Sequence, residues 1–184
     1  MFPIQVPTRD QVSPANQAIF DNLKKGLGMV PNLYATFAHS PNALGTYLAL
    51  QSAKSSLTAR EREVINLVVS QINECEYCLA AHTMLGKMHG FNDAQIIELR
   101  NASAPFDAKL DALARFTFSI TTNRGRADTA VRSAFFKAGY TEANLVDVIM
   151  IVGDKIISNY LHAVTGVPVD FPSAPALFTT AKAA

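Results

Sequence analysis

Helix-start signals recur along this chain while strand signals are scarce, and that imbalance limits the possible folds more than any other feature. Ser13-Pro14 reads as an N-cap followed by proline at the first helical position, where a missing N–H is harmless. It opens a helix running to Leu23 or Gly26. Pro31 and Ser40-Pro41 open two more, "PNLYATFAHS" and "PNALGTYLALQSAKSS". Thr58 with Glu61 makes a capping box ahead of "EREVINLVVSQIN", and Asn73 with Glu76 and Asn92 with Gln95 repeat the pattern. From Asp107 to Thr122, apolar residues such as Leu110, Leu113, Ala114, Phe116 and Ile120 keep helical spacing. Residues 127–138 and 142–164 give the last two helices, separated by Gly139.

No Pro/Gly/Ser-rich linker divides these segments. The expectation is therefore an all-α fold with one helical domain over residues 1–164. Beyond it, "GVPVDFPSAPALFTTAKAA" has three prolines and no periodicity. Residues 165–184 are expected to form an extended arm laid on their own domain or on a neighbouring copy. Apolar residues nearly encircle the last helix, which marks it as central or as an interface between copies.

Composition narrows the function. With 49% hydrophobic and 17% charged residues, the chain is a well-packed globular one. Its net charge is +1, and its only basic clusters are Lys24-Lys25 and the pair Arg124 and Arg126, so no nucleic-acid partner is expected. The opening "MFPIQVPTRDQ" has neither the basic nor the apolar region of a secretory signal. The most apolar run, "LVDVIMIVG", is too short to span a bilayer and contains Asp147. These features lead to an expectation of a cytoplasmic protein with no membrane partner.

The chemistry concentrates in "NECEYCLAAHTMLGKMHG", residues 73–90, which holds both cysteines of the chain and two of its four histidines. If the helix starts at Asn73, Cys75 lies in its first turn, where free N–H groups and the helix dipole favour a thiolate. Cys78 follows one turn on, and His82 one turn after that, so all three share a stripe. An imidazole one turn from a thiol is placed to take its proton. Helix position favours Cys75 as the more acidic thiol, and proximity to His82 favours Cys78. A structural disulfide across two residues would constrain the unfolded chain little. Zinc is a sharper rival, but His89 lies about ten ångströms along the axis from His82, too far to share an ion on one helix. No metal is expected. Upstream, Glu63, Asn66, Ser70 and Asn73 form a narrow polar stripe on an otherwise apolar helix. A solvent face would carry lysine or arginine, so the stripe is expected to line something wet, with Glu63 orienting His82. A solvated Glu63 complementing the helix dipole is the competing reading.

Glu63, eleven residues, Cys75, two residues, Cys78, three residues, His82: this spacing resembles the motif of the alkyl hydroperoxidase D family within the carboxymuconolactone decarboxylase superfamily. The match covers about residues 40–90, and "GVPVDFP" resembles the peroxidase-related branch. The resemblance implies a helical bundle with its CxxC motif at a helix N-terminus. It also implies a thiol-dependent peroxidase acting on organic hydroperoxides, with Cys78 attacking, Cys75 resolving, and a His82–Glu63 proton relay. It implies no bound cofactor: a dithiol or a thiol-disulfide donor protein would reset the pair. A homo-oligomer, trimer or hexamer, is implied as well. The alternatives are a decarboxylase of the same superfamily, a non-enzymatic thiol sensor and a zinc-binding module. Tyr77 stands where some members carry a histidine and is assigned to packing or gating.

Eight other positions have plainer expectations. His39 reads as a helix-end cation, and His162 as a structural histidine. Asp147 and Asp154 should make buried hydrogen bonds or salt bridges, with Lys155 or an arginine as partner. Phe116, Phe118, Phe135 and Phe136 are core or interface residues that together could wall an apolar pocket.

Overall fold

In the computed structural model, which describes residues 4–177, one helix organises the rest. This is α4 (Ala59–Ile72), counted after α1 (Pro14–Leu27), α2 (Asn32–Phe37) and α3 (Ala43–Ser52). Around it pack α5 (Glu76–Met88), α6 (Asp93–Arg100), α7 (Ala108–Thr122) and α9 (Glu142–Thr165), while α8 (Thr129–Lys137) packs on α7. The described residues contain no strand, and the fold is all-α.

The sequence explains why α4 is central. Val64, Ile65, Leu67, Val68 and Val69 cover most of its circumference, and all are buried. They join Ile96, Leu99, Leu113, Phe116 and Val148 in the larger of two apolar cores. Phe135 is the keystone on the α8 side, stacked on Phe116 at 4.4 Å and on Tyr140 at 4.5 Å between centroids. Each such pair adds about 0.5–1.5 kcal/mol beyond the burial of its area. Capping is as read at Thr58–Glu61 and Asn92–Gln95, and Thr141–Asn144 adds a further box.

One boundary differs from expectation. Asn73 and Glu76 form no capping box, because Asn73 ends α4 and α5 begins at Glu76. Between them Glu74 takes the left-handed conformation at φ 51°. Glu74 N–H donates to Gln71 O at 3.1 Å and Cys75 N–H to Ser70 O at 3.0 Å. That pair of bonds is a Schellman closure of α4. It hands Cys75 directly to α5 as the N-cap, one step short of the first-turn position expected for it.

The smaller core gathers α1 to α3, Cys75, Tyr77, Cys78 and Val167. The chain beyond α9 runs without regular structure across this side. Pro168 O and the Asp170 carboxylate take the side-chain and backbone N–H groups of Asn32, at 3.1 and 2.7 Å. Pro175 O accepts from Arg100 at 2.5 Å. Pro168, Asp170 and Pro175 thus bond to α2 and α6 of the same chain; residues 178–184 of the expected arm fall outside the described residues.

Candidate active site

The smaller core borders a cavity of about 350 Å³. Its apolar wall includes Leu27, Leu33, Tyr34, Met84 and Phe171; its polar floor holds Glu63, Cys78, His82, Asp154, Lys155 and Ser158. Of the four phenylalanines considered for such a wall, none lines it. Phe116 and Phe135 are spent in the larger core, and Phe118 and Phe136 face solvent. Aromatic character comes instead from Tyr34, Tyr47, Tyr77 and Phe171.

The helix pair α4–α5 brings the four motif residues together. Glu63 and Asn66 face inward, with Asn66 donating to the Glu63 carboxylate at 3.0 Å. Further along the same stripe, Asn73 bonds to Asn159 of α9 at 2.9 Å. The polar stripe thus lines the cavity at one end and binds α9 at the other, and Glu63 is 5% exposed rather than solvated. His82 Nδ1 lies 2.8 Å from Glu63 Oε2. Burial alone would raise the Glu63 carboxyl, but His82, Asn66 and Lys155 outweigh it and hold the group below its ordinary value.

The two cysteines are both buried and unpaired, yet they are not equivalent. Only Cys78 lines the cavity, and Cys75 lies behind it in the smaller core. Cys75 Sγ accepts the Cys78 N–H at 3.4 Å, filling the capping role that an oxygen usually takes. Ser158 Oγ lies 3.8 Å from Cys78 Sγ. A hydrogen bond from Cys75 favours the Cys78 thiolate most; burial opposes it, and Lys155, Ser158 and, were its ring charged, His82 add to it. Together they pull Cys78 down to about 5. Cys75, the donor of that bond and itself buried, is pushed up. Helix position would have made Cys75 the more acidic thiol; its place as cap and donor reverses that order.

The sequence reading took Lys155 only as a partner for Asp147 or Asp154, and it proves central. Its ammonium is buried, 3.0 Å from His82 Nε2 and 3.7 Å from Asp154 Oδ2. Burial opposes its charge, but Asp154, Cys78, Tyr34 and Glu63 overcome that and raise it above its usual value. From Asp154 the network continues through Gln51 to the hydroxyls of Tyr47 and Tyr34. A signal for Lys155 did exist: an Asp-Lys pair in the middle of an apolar helix cannot be solvated, so it must be paired.

The remaining expectations fall away from the chemistry. Tyr77 is a strut, its hydroxyl accepting from Leu33 N–H at 3.2 Å and donating to Asp170 at 2.6 Å. Phe171 packs edge-on against the Tyr77 ring, and His162 packs against it as a structural residue outside the cavity. His39 bonds to Gln5 O and His89 ends α5 as an exposed residue at the cavity rim. Asp147 bonds to neither Lys155 nor an arginine but accepts from Ser55 and Ser56, pinning the α3–α4 loop. Among the described residues, no group of three or more His, Cys, Asp or Glu is placed to hold a metal, and no helix is long and apolar enough to cross a membrane.

Residues 35–118 match the model of the carboxymuconolactone decarboxylase family. A peroxidase-related protein from Silicibacter sp. TM1040, known from its crystal structure, is 26% identical, with 90% of each chain covered and a TM-score of 0.79. A second peroxidase-related protein, with an alkylhydroperoxidase AhpD core, comes from Ralstonia eutropha JMP134. It is 21% identical over 91% of this chain and 92% of that one, at a TM-score of 0.82. The debrominase Bmp8, solved with 2,3,4-tribromopyrrole, shares the fold at 16% identity, with 91% and 90% covered and a TM-score of 0.72. No protein of curated function matches the sequence.

Proposed function

We propose, for a chain whose residues 35–118 match the carboxymuconolactone decarboxylase family model and whose fold is that of an alkylhydroperoxidase AhpD core, a thiol-dependent peroxidase activity on organic hydroperoxides. The observation that carries the reading is the division of labour between the cysteines. Cys78 lines the cavity among groups that lower its pKa, and Cys75 sits behind it, accepting the Cys78 N–H at its sulfur. A cavity of about 350 Å³ with an apolar wall suits a small organic peroxide.

The chemistry balances as follows. The Cys78 thiolate attacks the terminal oxygen of ROOH; an S–O bond forms, the O–O bond breaks, and RO⁻ leaves, taking a proton from water to become ROH. Cys78 is now a sulfenic acid. The Cys75 thiol condenses with it, releasing water and leaving a Cys75–Cys78 disulfide. A dithiol or a thiol-disulfide donor protein, oxidised in turn, returns both thiols by exchange. In this reading the protein works in the cytoplasm, where such donors are kept reduced. Copies associate through an apolar stripe on α9.

The decisive experiment reduces the protein, removes the reductant, adds one equivalent of cumene hydroperoxide and counts thiols. Loss of two thiols per peroxide with an intramolecular disulfide by mass, followed by turnover with dithiothreitol, is the expected result. Stoichiometric oxidation without turnover by any dithiol would make the protein a sensor. Thiols that persist where free cysteine reacts would remove the peroxidase reading. A decarboxylase would then come forward, favoured by the family match and by the buried ammonium of Lys155 as a partner for a carboxylate.

A further inference from the structure

We propose that Lys155, and not His82, is the charged partner of the Cys78 sulfur, and that His82 positions the Lys155 ammonium rather than accepting the Cys78 proton. The inference deepens the peroxidase reading and rests on Cys78 being its nucleophile. It departs from the relay implied by the sequence motif, in which His82 takes that proton and Glu63 stands behind.

The argument begins with donors and acceptors. An ammonium has three donors and no acceptor. At 3.0 Å from Lys155 Nζ, His82 Nε2 must therefore accept. The single ring proton is then on Nδ1, donated to the Glu63 carboxylate 2.8 Å away. Both ring nitrogens are engaged, and an imidazole that accepts at Nε2 is neutral. To take the Cys78 proton at Nε2 it would have to release Lys155 and place two cations side by side in a buried site. Nothing in the geometry supplies a reason for that exchange.

Lys155 meets the other requirement, a positive charge held in the same cavity as the sulfur. Its side chain and Cys78 line the same cavity floor. The groups facing it are Glu63 from α4, Cys78 and His82 from α5, Asp154 from α9 itself and Tyr34 from α2. With Cys78 as the thiolate, Glu63, Asp154 and Cys78 are anions, His82 and Tyr34 are neutral, and Lys155 is the one cation among these groups. A buried cluster of this kind keeps its ammonium charged, because removing the proton would leave carboxylates and thiolate without a counter-ion. His82 then serves as a fixed acceptor that aims the ammonium, and Glu63 fixes the ring in turn, as a carboxylate does for a metal-bound histidine.

The test reads the Cys78 thiolate directly, so it is independent of peroxide turnover. The rate of iodoacetamide alkylation at Cys78, followed by mass against pH, is compared in wild type, Lys155→Met, Lys155→Arg and His82→Gln. Lys155→Met should raise the midpoint by about 1–3 pH units, the usual effect of an adjacent opposite charge. Lys155→Arg should restore most of that shift, and His82→Gln, which keeps an acceptor, should move it less than Lys155→Met. A midpoint that moves in His82→Gln but stays in Lys155→Met overturns the proposal. If Lys155→Met does not fold, ¹⁵N NMR of His82 in the wild type decides. A neutral ring protonated at Nδ1 agrees with the proposal, and a proton on Nε2 refutes it. Failure of the thiol-counting experiment with these results intact would sink the peroxidase reading alone.

Discussion

At the scale of single residues, the two cysteines differ in what surrounds them more than in what they are. Cys78 has the Cys75 thiol, the Ser158 hydroxyl and the buried charge of Lys155 acting on its sulfur, whereas the Cys75 sulfur caps α5 by accepting the Cys78 N–H among apolar neighbours. The thiolate is the reactive form, so a lowered value extends reactivity downward in pH. Reduced protein should alkylate at Cys78 with a midpoint near pH 5, falling off below it, while Cys75 stays slow through neutrality. Cys75→Ser keeps a hydroxyl donor and should hold that midpoint, whereas Cys75→Ala removes the donor and should raise it by about one unit. Cys78→Ser should lose sulfenic acid formation, and Cys75→Ser should stop at the sulfenic acid, both read by dimedone trapping. Sulfenic acid in Cys78→Ser and none in Cys75→Ser would reverse the roles. The spacing of the four motif residues was legible in the sequence because residues one helical turn apart share a face. Lys155 was not legible as the third member at the sulfur. It comes from a helix some seventy residues on, and only the tertiary packing of α9 against α5 brings it to His82.

Among the elements, the join between α4 and α5 sets the site. The chain reverses in the two residues Asn73 and Glu74, and the reversal delivers Cys75 as a cap. The sequence read this segment as one more capping box. An Asn–Glu spacing satisfies that pattern equally well, and a glutamate gives no sign of left-handed backbone. Glu74 is exposed and adopts φ 51° where glycine is usual. A side chain there costs about 1 kcal/mol. Glu74→Gly should therefore raise stability by about that amount in urea melts, without altering Cys78 alkylation. Glu74→Val, branched at Cβ, should lower stability by at least as much and blur the alkylation profile. Equal stability of all three would mean that the reversal carries no strain.

In the molecule as a whole, α9 has two faces with different uses. One buries Val148, Ile151, Val152, Asp154, Lys155 and Ser158. The other leaves Val146, Met150, Ile157, Tyr160 and Val164 exposed, between 45% and 63%. With Gly153 these positions alternate four and three residues apart, the heptad spacing by which two helices lock together. If copies meet there, Ile157→Asp with Tyr160→Glu should convert the assembly to a monomer in light scattering and leave the fold intact. A wild-type monomer at micromolar concentration would remove the interface. The strap across the site has a consequence in time. Asp170 ties down Tyr77 and the start of α2, yet it follows Tyr77 by 93 residues in the chain. At usual rates of protein synthesis that interval is about 5–20 s. The strap is thus made well after the cysteines, so each newly made copy holds both thiols before Tyr77 and α2 are tied down. Asp170→Ala should prolong that state in the finished protein and speed alkylation of Cys75. The nascent chain would then meet the surrounding thiols and oxidants before the folded protein does, and its first redox state would be set during its own synthesis.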